Sequence, residues 1–239
     1  MASRALAVIP ARYGSSRFPG KPLAEIAGLP MILHVARRAA KIRGIDEVVV
    51  ATDDRRIFDV VLEDGIAAEM TSSDHETGTS RVAEVARRRR FGIVLNIQGD
   101  EPLLPVAAVG RLVDHMRTSR RTMMATLASP HSGGEDAGRA DVVKVAVDRN
   151  GDALYFSRSA IPHGSGSFLH HIGIYAFRRA FLIKYPSLPR GPFENSERLE
   201  QLRALENGYR VHVISCRARS FGVDRPADIK RVEKRIGSG

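Results

Sequence analysis

Two aspartates and three cations make the strongest case for chemistry in this chain. Asp100 and Asp224 each close a strand-like run near a glycine, where a carboxylate can project into a crevice. Magnesium takes hard oxygen ligands, usually one or two protein carboxylates completed by phosphate oxygens. Two aspartates far apart in sequence and close in the fold would serve it. Asp224 suits equally the N-cap of a helix starting at Pro226, and both readings stay open. For Asp100 the alternative is a turn residue before Pro102, which Gln98 and Gly99 disfavour. Arg12, Arg17 and Lys21 lie in the stretch LAVIPARYGSSRFPGKPL, Leu6 to Leu23, where an apolar run gives way to Gly14, Ser15, Ser16, Pro19 and Gly20. A Gly/Ser loop after a first strand offers backbone N–H groups to phosphate oxygens while the cations neutralise them; the same composition also makes plain turns. It is not a P-loop, because Gly14 and Gly20 are one residue too far apart and Pro22 replaces the magnesium-binding hydroxyl. The dinucleotide fingerprint is absent as well.

Alternating elements must position these residues. Helical spacing runs from Met31 to Lys41 behind Pro30, then a strand over Glu47 to Ala51 ends in Thr52, Asp53 and Asp54. Ile57, Val60, Val61 and Leu62 mark a second helix and Ala67 to Met70 a short strand. The polar loop Thr71 to Ser80 precedes a helix predicted from Arg81 to about Arg89, and a buried-looking strand, Ile93 to Ile97, ends at Gln98–Pro102. Strand–helix alternation of this kind implies a parallel sheet covered by helices on both faces. In such sheets ligands sit beyond the carboxyl ends of the strands. The first loop, the Thr71–Ser80 loop and the Gln98–Pro102 turn should therefore converge on one nucleotide site.

The second half is richer in strands: Met123 to Ala128, Val142 to Val147, Ala153 to Phe156, His170 to Phe177 and Val211 to Ser215. Alternation places His171, Gly173 and Tyr175 on one face and His170, Ile172 and Ile174 on the other, so only one of the two histidines is a site candidate and a shared metal is disfavoured. A helix is predicted within Glu194 to Asn207, with Glu197, Glu200 and Gln201 inside one turn, and a last helix with Pro226 near its first turn and Ile229, Val232 and Ile236 buried.

With 239 residues, 43% of them hydrophobic, the chain can build one α/β domain of ordinary size. No apolar run reaches bilayer length and no signal-peptide pattern opens the sequence. Cys216 is the one cysteine, which excludes a disulfide framework and a Cys-rich zinc site. A cytoplasmic protein is expected. The formal charge of +10 raises the question of nucleic acid. However, the basic residues are spread out, and the densest run, Arg87 to Arg90, closes a predicted helix, where the dipole favours cations. Nucleic acid is disfavoured as a partner, and so is a membrane.

The segments IPARYGSSRFPGKPL, ATDD, TGTSR, NIQGDEP, KVAVD, ALYFSRSAIP, HIGIY, LEQLRALENG and GVDRPAD occur in the order seen in 3-deoxy-manno-octulosonate cytidylyltransferases, and the chain resembles that family along nearly its whole length. The resemblance implies a Rossmann-like α/β nucleotidyltransferase fold: three layers, a mixed and mostly parallel sheet, and a β-rich insertion at about 121–190 within a single domain. The nucleotide half would occupy about 1–120, and the insertion would carry a homodimer contact. It implies a reaction in which CTP and a 3-deoxy-octulosonic acid give the CMP-sugar acid and pyrophosphate with Mg2+, the anomeric 2-hydroxyl attacking the α-phosphorus. By the family's motifs Arg12 and Lys21 would form the phosphate cradle, with Ser15 and Ser16 nearby among the nucleotide-binding residues. The resemblance further implies that Arg81 and Gln98 contact the nucleotide and that Asp100 and Asp224 are the metal carboxylates. Arg158, His171, Tyr175, Glu200 and Gln201 form the sugar-acid pocket, a cation or histidine suiting the carboxylate and Glu and Gln the hydroxyls.

Three departures bear on that expectation. Ser80 stands where the family has Asp or Glu, leaving Arg81 without an orienting carboxylate from that position. Arg225 replaces the Thr ahead of Pro226, a lost cap worth about 1 kcal/mol unless Asp224 takes it over. The short Gly/Ser-rich stretch between Pro162 and Phe168, expected beside the sugar pocket, leaves an 8-amino octulosonate or another 2-keto-3-deoxy acid open as the acceptor. A rival of another class, a catalytically inactive basic protein binding nucleotide or nucleic acid, predicts salt-sensitive binding and no turnover.

Overall fold

A computed structural model of the chain describes residues 3–14, 18–132, 135–164, 166–218 and 221–237. The first half runs β1 (Ala5–Ala11), a small hairpin of β2 (Glu25–Ile26) and β3 (Leu29–Pro30), α1 (Met31–Ala39), β4 (Glu47–Thr52), α2 (Arg55–Glu63), β5 (Ala67–Met70), α3 (Gly78–Arg88), β6 (Ile93–Asn96) and α4 (Val106–Thr118). The second half adds β7 (Met124–Ser132), α5 (Glu135–Gly138), β8 (Lys144–Val147), β9 (Ala153–Ser157), β10 (Ser167–Arg178), α6 (Arg179–Lys184), α7 (Pro192–Glu197), α8 (Leu202–Glu206), β11 (Val211–Ser215) and α9 (Pro226–Ile236).

One nine-stranded sheet organises the chain, in the order β11-β7-β10-β6-β1-β4-β5, with β8 pairing β10 and β9 pairing β8. Strand β1 lies parallel to both β4 and β6, and β10 runs antiparallel to β6 and β7, so the sheet is mixed and mostly parallel. The apolar run of β1 is continuous because both of its faces are covered. Ala5, Ala7 and Ile9 face the core under α1, α2 and α4, while Leu6 and Val8 face a second core under α3 and α6 with Val82, Phe177 and Leu182. Each fully buried Ile, Leu or Val contributes about 1.5–3 kcal/mol, which makes this central strand the rigid reference for everything built on its C-terminal end.

Two elements differ from the sequence expectation. Helix α3 begins at Gly78, before Arg81, because the Thr77 side chain accepts from the Ser80 N–H and caps it there. The predicted helix over Glu194–Asn207 is two, α7 and α8: Arg198 takes a left-handed φ of 52° and ends the first. The strands of the second half are hydrogen-bonded into the main sheet, with β8 and β9 as a two-strand flap off β10. Among the described residues no helix is long and apolar enough to cross a membrane.

Candidate active site

Gly20 places the first catalytic candidate. Its φ of 71° and its N–H bond to the Tyr13 carbonyl (3.0 Å) close the loop, and Lys21 follows at the start of a one-turn helix. A side chain at Gly20 would press within 3.1 Å of the Tyr13 ring and strain a left-handed backbone. From there the Lys21 ammonium reaches Asp100 Oδ2 at 2.5 Å, the Val223 carbonyl at 3.1 Å and Asp224 Oδ1 at 3.9 Å. Asp100 follows β6 in a tight turn; at Gly99 a Cβ would come within 3.0 Å of the Pro10 carbonyl of β1. Asp224 precedes α9, whose Asp228 carboxylate accepts from the backbone N–H groups of Asp224 (3.0 Å) and Arg225 (2.9 Å). Asp228, reaching back, thereby supplies the N3 half of a capping box, with Arg225 at the N-cap position. The two aspartates thus meet on one cation although 124 positions separate them in sequence (224 − 100).

These carboxylates stand in a pocket of about 250 Å³ lined also by Arg12, Lys21, Arg81 and Gln98. Arg12 is exposed at its edge, and Ser15 and Ser16 lie outside the described residues. Arg81 is buried and donates to Asp53 Oδ2 at 2.7 Å and Thr71 Oγ1 at 2.5 Å. Asp53 of the ATDD segment, and not position 80, therefore supplies the orienting carboxylate. Ser80 has another task, donating its hydroxyl to the Thr77 carbonyl at 2.8 Å inside the helix cap.

A larger cleft of about 840 Å³ adjoins the pocket and shares Gly78, Gln98 and Asp224 with it. Arg158, His171, Tyr175, Glu200 and Gln201 all line it. None of the described residues between Pro162 and Phe168 does. The Arg158 guanidinium donates to the carbonyls of Ala140 (2.8 Å), Glu197 (2.8 Å) and Arg198 (3.4 Å), leaving part of its five-donor fork for a ligand. His171 cannot act as a cation: burial, with neighbouring His170, pushes its pKa down to about 3. The Thr126 hydroxyl has one proton and lies within bonding distance of the Ile172 and Ile174 carbonyls, so it accepts from His171 Nε2–H at 3.0 Å, which fixes the tautomer. These carbonyls mark the register shift in β10 between Ile172 and Tyr175. Gln98 donates to the carbonyl of Gly173 there, at 3.4 Å. The Tyr175 hydroxyl is held protonated, its pKa raised by burial and by neighbouring Tyr185, Glu200 and Glu101.

Glu200 accepts from Thr77 Oγ1 (3.1 Å) and Thr79 Oγ1 (2.7 Å), which ties the cleft to the first turn of α3. Burial raises its pKa, offset in part by those hydroxyls and by Arg203. Gln201 is buried beside it. Sequence reading gave no role to Asp53, Thr77, Thr79 or Thr126. The first three stand in the ATDD and TGTSR segments and were open to notice, whereas nothing marks Thr126 before the β10 bulge is seen.

Among the described residues no group of three or more His, Cys, Asp or Glu is placed to hold a metal. Asp100 and Asp224 both approach the Lys21 ammonium, and two hard carboxylates are the kind of protein donor set that a magnesium ion sharing phosphate oxygens takes. Three arginines of the basic run Arg87–Arg90 are engaged in contacts within the chain: Arg88 with Glu84, Arg89 with Glu47 and Glu69, and Arg87 with the Ile183 carbonyl.

Residues 6–214 match the cytidylyltransferase family. A 3-deoxy-manno-octulosonate cytidylyltransferase of Anaeromyxobacter sp. (strain K) is 50% identical over 239 residues, covering 97% of both chains. One from Trichlorobacter lovleyi is 45% identical over 249 residues, covering 98% of this chain and 99% of its own. A solved CMP:2-keto-3-deoxy-manno-octonic acid synthetase complexed with CTP superposes with a TM-score of 0.95 at 44% identity, over 99% of each chain.

Proposed function

The chain belongs to the 3-deoxy-manno-octulosonate cytidylyltransferase family, and from that membership we propose that it transfers CMP from CTP to the anomeric 2-hydroxyl of 3-deoxy-manno-octulosonate. The observation that carries the proposal is the Lys21 bridge between Asp100 and Asp224 at the junction of a small pocket and a large cleft. In this reading CTP fills the small pocket and the sugar acid the large one. Arg12 and Lys21 neutralise the triphosphate, Arg81, held by Asp53, and Gln98 contact the nucleotide, and Arg158 takes the acid's carboxylate. Glu200 and Gln201 orient its hydroxyls, with Tyr175 and neutral His171 shaping the wall. The sugar oxygen forms a bond to the α-phosphorus as the bond from that phosphorus to the bridging oxygen breaks. Pyrophosphate leaves with the electron pair, and the hydroxyl proton passes to solvent or phosphate. Catalysis is then mainly alignment and charge stabilisation. Mg2+, which Asp100 and Asp224 would hold, supplies further neutralisation of the reacting phosphate.

We place the protein in the cytoplasm as a homodimer, with the β-rich part at about 121–190 as an insertion in a single domain carrying the contact. Its product would be the activated sugar for lipopolysaccharide-type glycans. The test is pyrophosphate release across four nucleoside triphosphates and a panel of sugar acids. Release that requires CTP, 3-deoxy-manno-octulosonate and Mg2+ together is the expected result. Preference for an amino-substituted acid or another nucleotide, or salt-sensitive nucleic-acid binding without turnover, overturns it. Sedimentation gives the assembly state.

A pH dependence follows from Glu200. Its pKa is raised in the fold, so it takes up a proton at higher pH than an unfolded glutamate. The sign for stability is that ionised Glu200 costs the native state some stability at neutral pH, relieved as pH falls through the raised value. For binding the sign is opposite, since a protonated carboxyl loses acceptor capacity. The KM for the sugar acid should rise about threefold to tenfold between about pH 7 and pH 5, with the KM for CTP as the control. Glu200→Gln should flatten the profile; an unchanged profile in that variant rejects the assignment.

A further inference from the structure

Lys144 is fully buried at the start of β8. Its ammonium has three protons and three main-chain acceptors, the carbonyls of Arg139 (2.9 Å), Val142 (2.8 Å) and Arg158 (2.5 Å). The first two lie in the strap ahead of β8, and the third follows the end of β9. Arg158 extends the same arrangement from the other side through the carbonyls of Ala140, Glu197 and Arg198. Two cations thus draw six carbonyl oxygens inward from three segments. A buried ammonium is a costly way to fill space, since an apolar side chain of similar length would avoid its desolvation. Pairing of β8 with β9 does not need it either, because the backbone register Lys144↔Ser157 to Val147↔Ala153 is made by main-chain groups. What the charge adds is convergence of the strap on the strand end. Arg139, Val142 and Arg158, whose carbonyls it holds, all line the large cleft.

We propose that Lys144 is a positioning residue for the sugar-acid half of the reaction: by gathering these three carbonyls it sets one wall of the cleft and aims the Arg158 guanidinium at the acid's carboxylate. The inference rests on the cytidylyltransferase reading above and goes beyond it, since Lys144 lines neither the pocket nor the cleft.

The experiment measures KM for the sugar acid and for CTP separately in the full chain, for the parent, Lys144→Met and Lys144→Gln. Calorimetric binding of CTP alone reports whether the nucleotide half stays folded. Lys144→Met is expected to raise the KM for the sugar acid about tenfold or more while the KM for CTP stays within about twofold, a split that removal of a merely structural residue does not produce. Lys144→Gln keeps two N–H donors and should fall between. Unchanged constants in Lys144→Met, a parallel rise of both, or a glutamine variant no better than methionine overturns the proposal. If the methionine variant does not fold, the glutamine variant decides alone, a rise of about threefold in the sugar-acid constant only being required. Absence of turnover on every panel acid by the parent chain overturns the functional reading and this inference with it. Turnover by the parent with unaltered variants overturns this inference alone.

Discussion

Asp100→Ala should lower pyrophosphate release by about a thousandfold or more while leaving the protein folded and CTP bound. Two contributions disappear together. Asp100 is the nearer carboxylate to the Lys21 ammonium, at 2.5 Å against 3.9 Å for Asp224, so its removal frees the lysine to swing toward Asp224 and lose its aim at the phosphates. It also removes one of two hard oxygen donors available to a divalent ion, and a single remaining carboxylate at an open site holds Mg2+ poorly. Neither contribution supports the fold. The carboxylate is partly exposed, and the part of Asp100 that does structural work is its main-chain carbonyl, which accepts from the Val223 N–H at 2.9 Å and survives the substitution. The unfolding free energy should therefore change by no more than about 0.5 kcal/mol. Coupled pyrophosphate detection with a thermal melt on the same sample separates the two quantities. Turnover within tenfold of the parent chain would remove Asp100 from the reaction, and a collapsed melt would mean that the side chain had been structural after all.

How far this site could be read from the sequence depends on the range of the interaction in question. Convergence of the first loop, the Thr71–Ser80 loop and the Gln98–Pro102 turn follows from topology alone: each follows a strand, and β1, β4, β5 and β6 are parallel. The meeting of Asp100 with Lys21 needs only that. Helix ends are harder, because a cap outweighs propensity. Gly78, Thr79 and Ser80 make a poor first turn by composition, yet Thr77 starts α3 there and so brings Gly78 and Thr79 to the cleft. Which residues pair between elements leaves no sequence signal, even where each stands in a recognisable segment. That Arg81 pairs with Asp53 at the end of β4, and that Thr126 fixes the His171 tautomer, depends on register and on an irregularity in β10. His171 shows the consequence for chemistry. Its residue type suggested a cation for a carboxylate, and only its burial reveals that it stays neutral.

Arg203→Met should destabilise the protein by about 3–5 kcal/mol, the usual cost of removing one member of a buried ion pair. The loss is uneven because of what stays behind. Arg203 and Glu194 are both buried and joined by two bonds, Nε to Oε2 at 2.8 Å and Nη2 to Oε1 at 2.5 Å. Methionine fills the volume but leaves the Glu194 carboxylate in the interior, with Arg190 at 3.8 Å, half-exposed, as its nearest substitute. At about 2–4 °C per kcal/mol for a chain of this size, the melting temperature should fall by about 6 °C or more. A pair such as Arg43–Asp114, its arginine 81% exposed, should by contrast contribute about 0–1 kcal/mol. Removing both charges, as in Glu194→Leu with Arg203→Met, should recover most of the stability, since no unpaired charge remains buried. Activity need not recover with it. The Glu200 carboxylate, 3.9 Å from Arg203 Nη2, and the Glu200 carbonyl, held by the Tyr185 hydroxyl at 2.7 Å, belong to the same assembly between α7 and α8. The double variant should therefore melt near the parent temperature yet keep a raised KM for the sugar acid. A single variant that melts within about 2 °C of the parent contradicts the buried-pair argument. A double variant with parental KM would show that the pair supports the fold without placing Glu200.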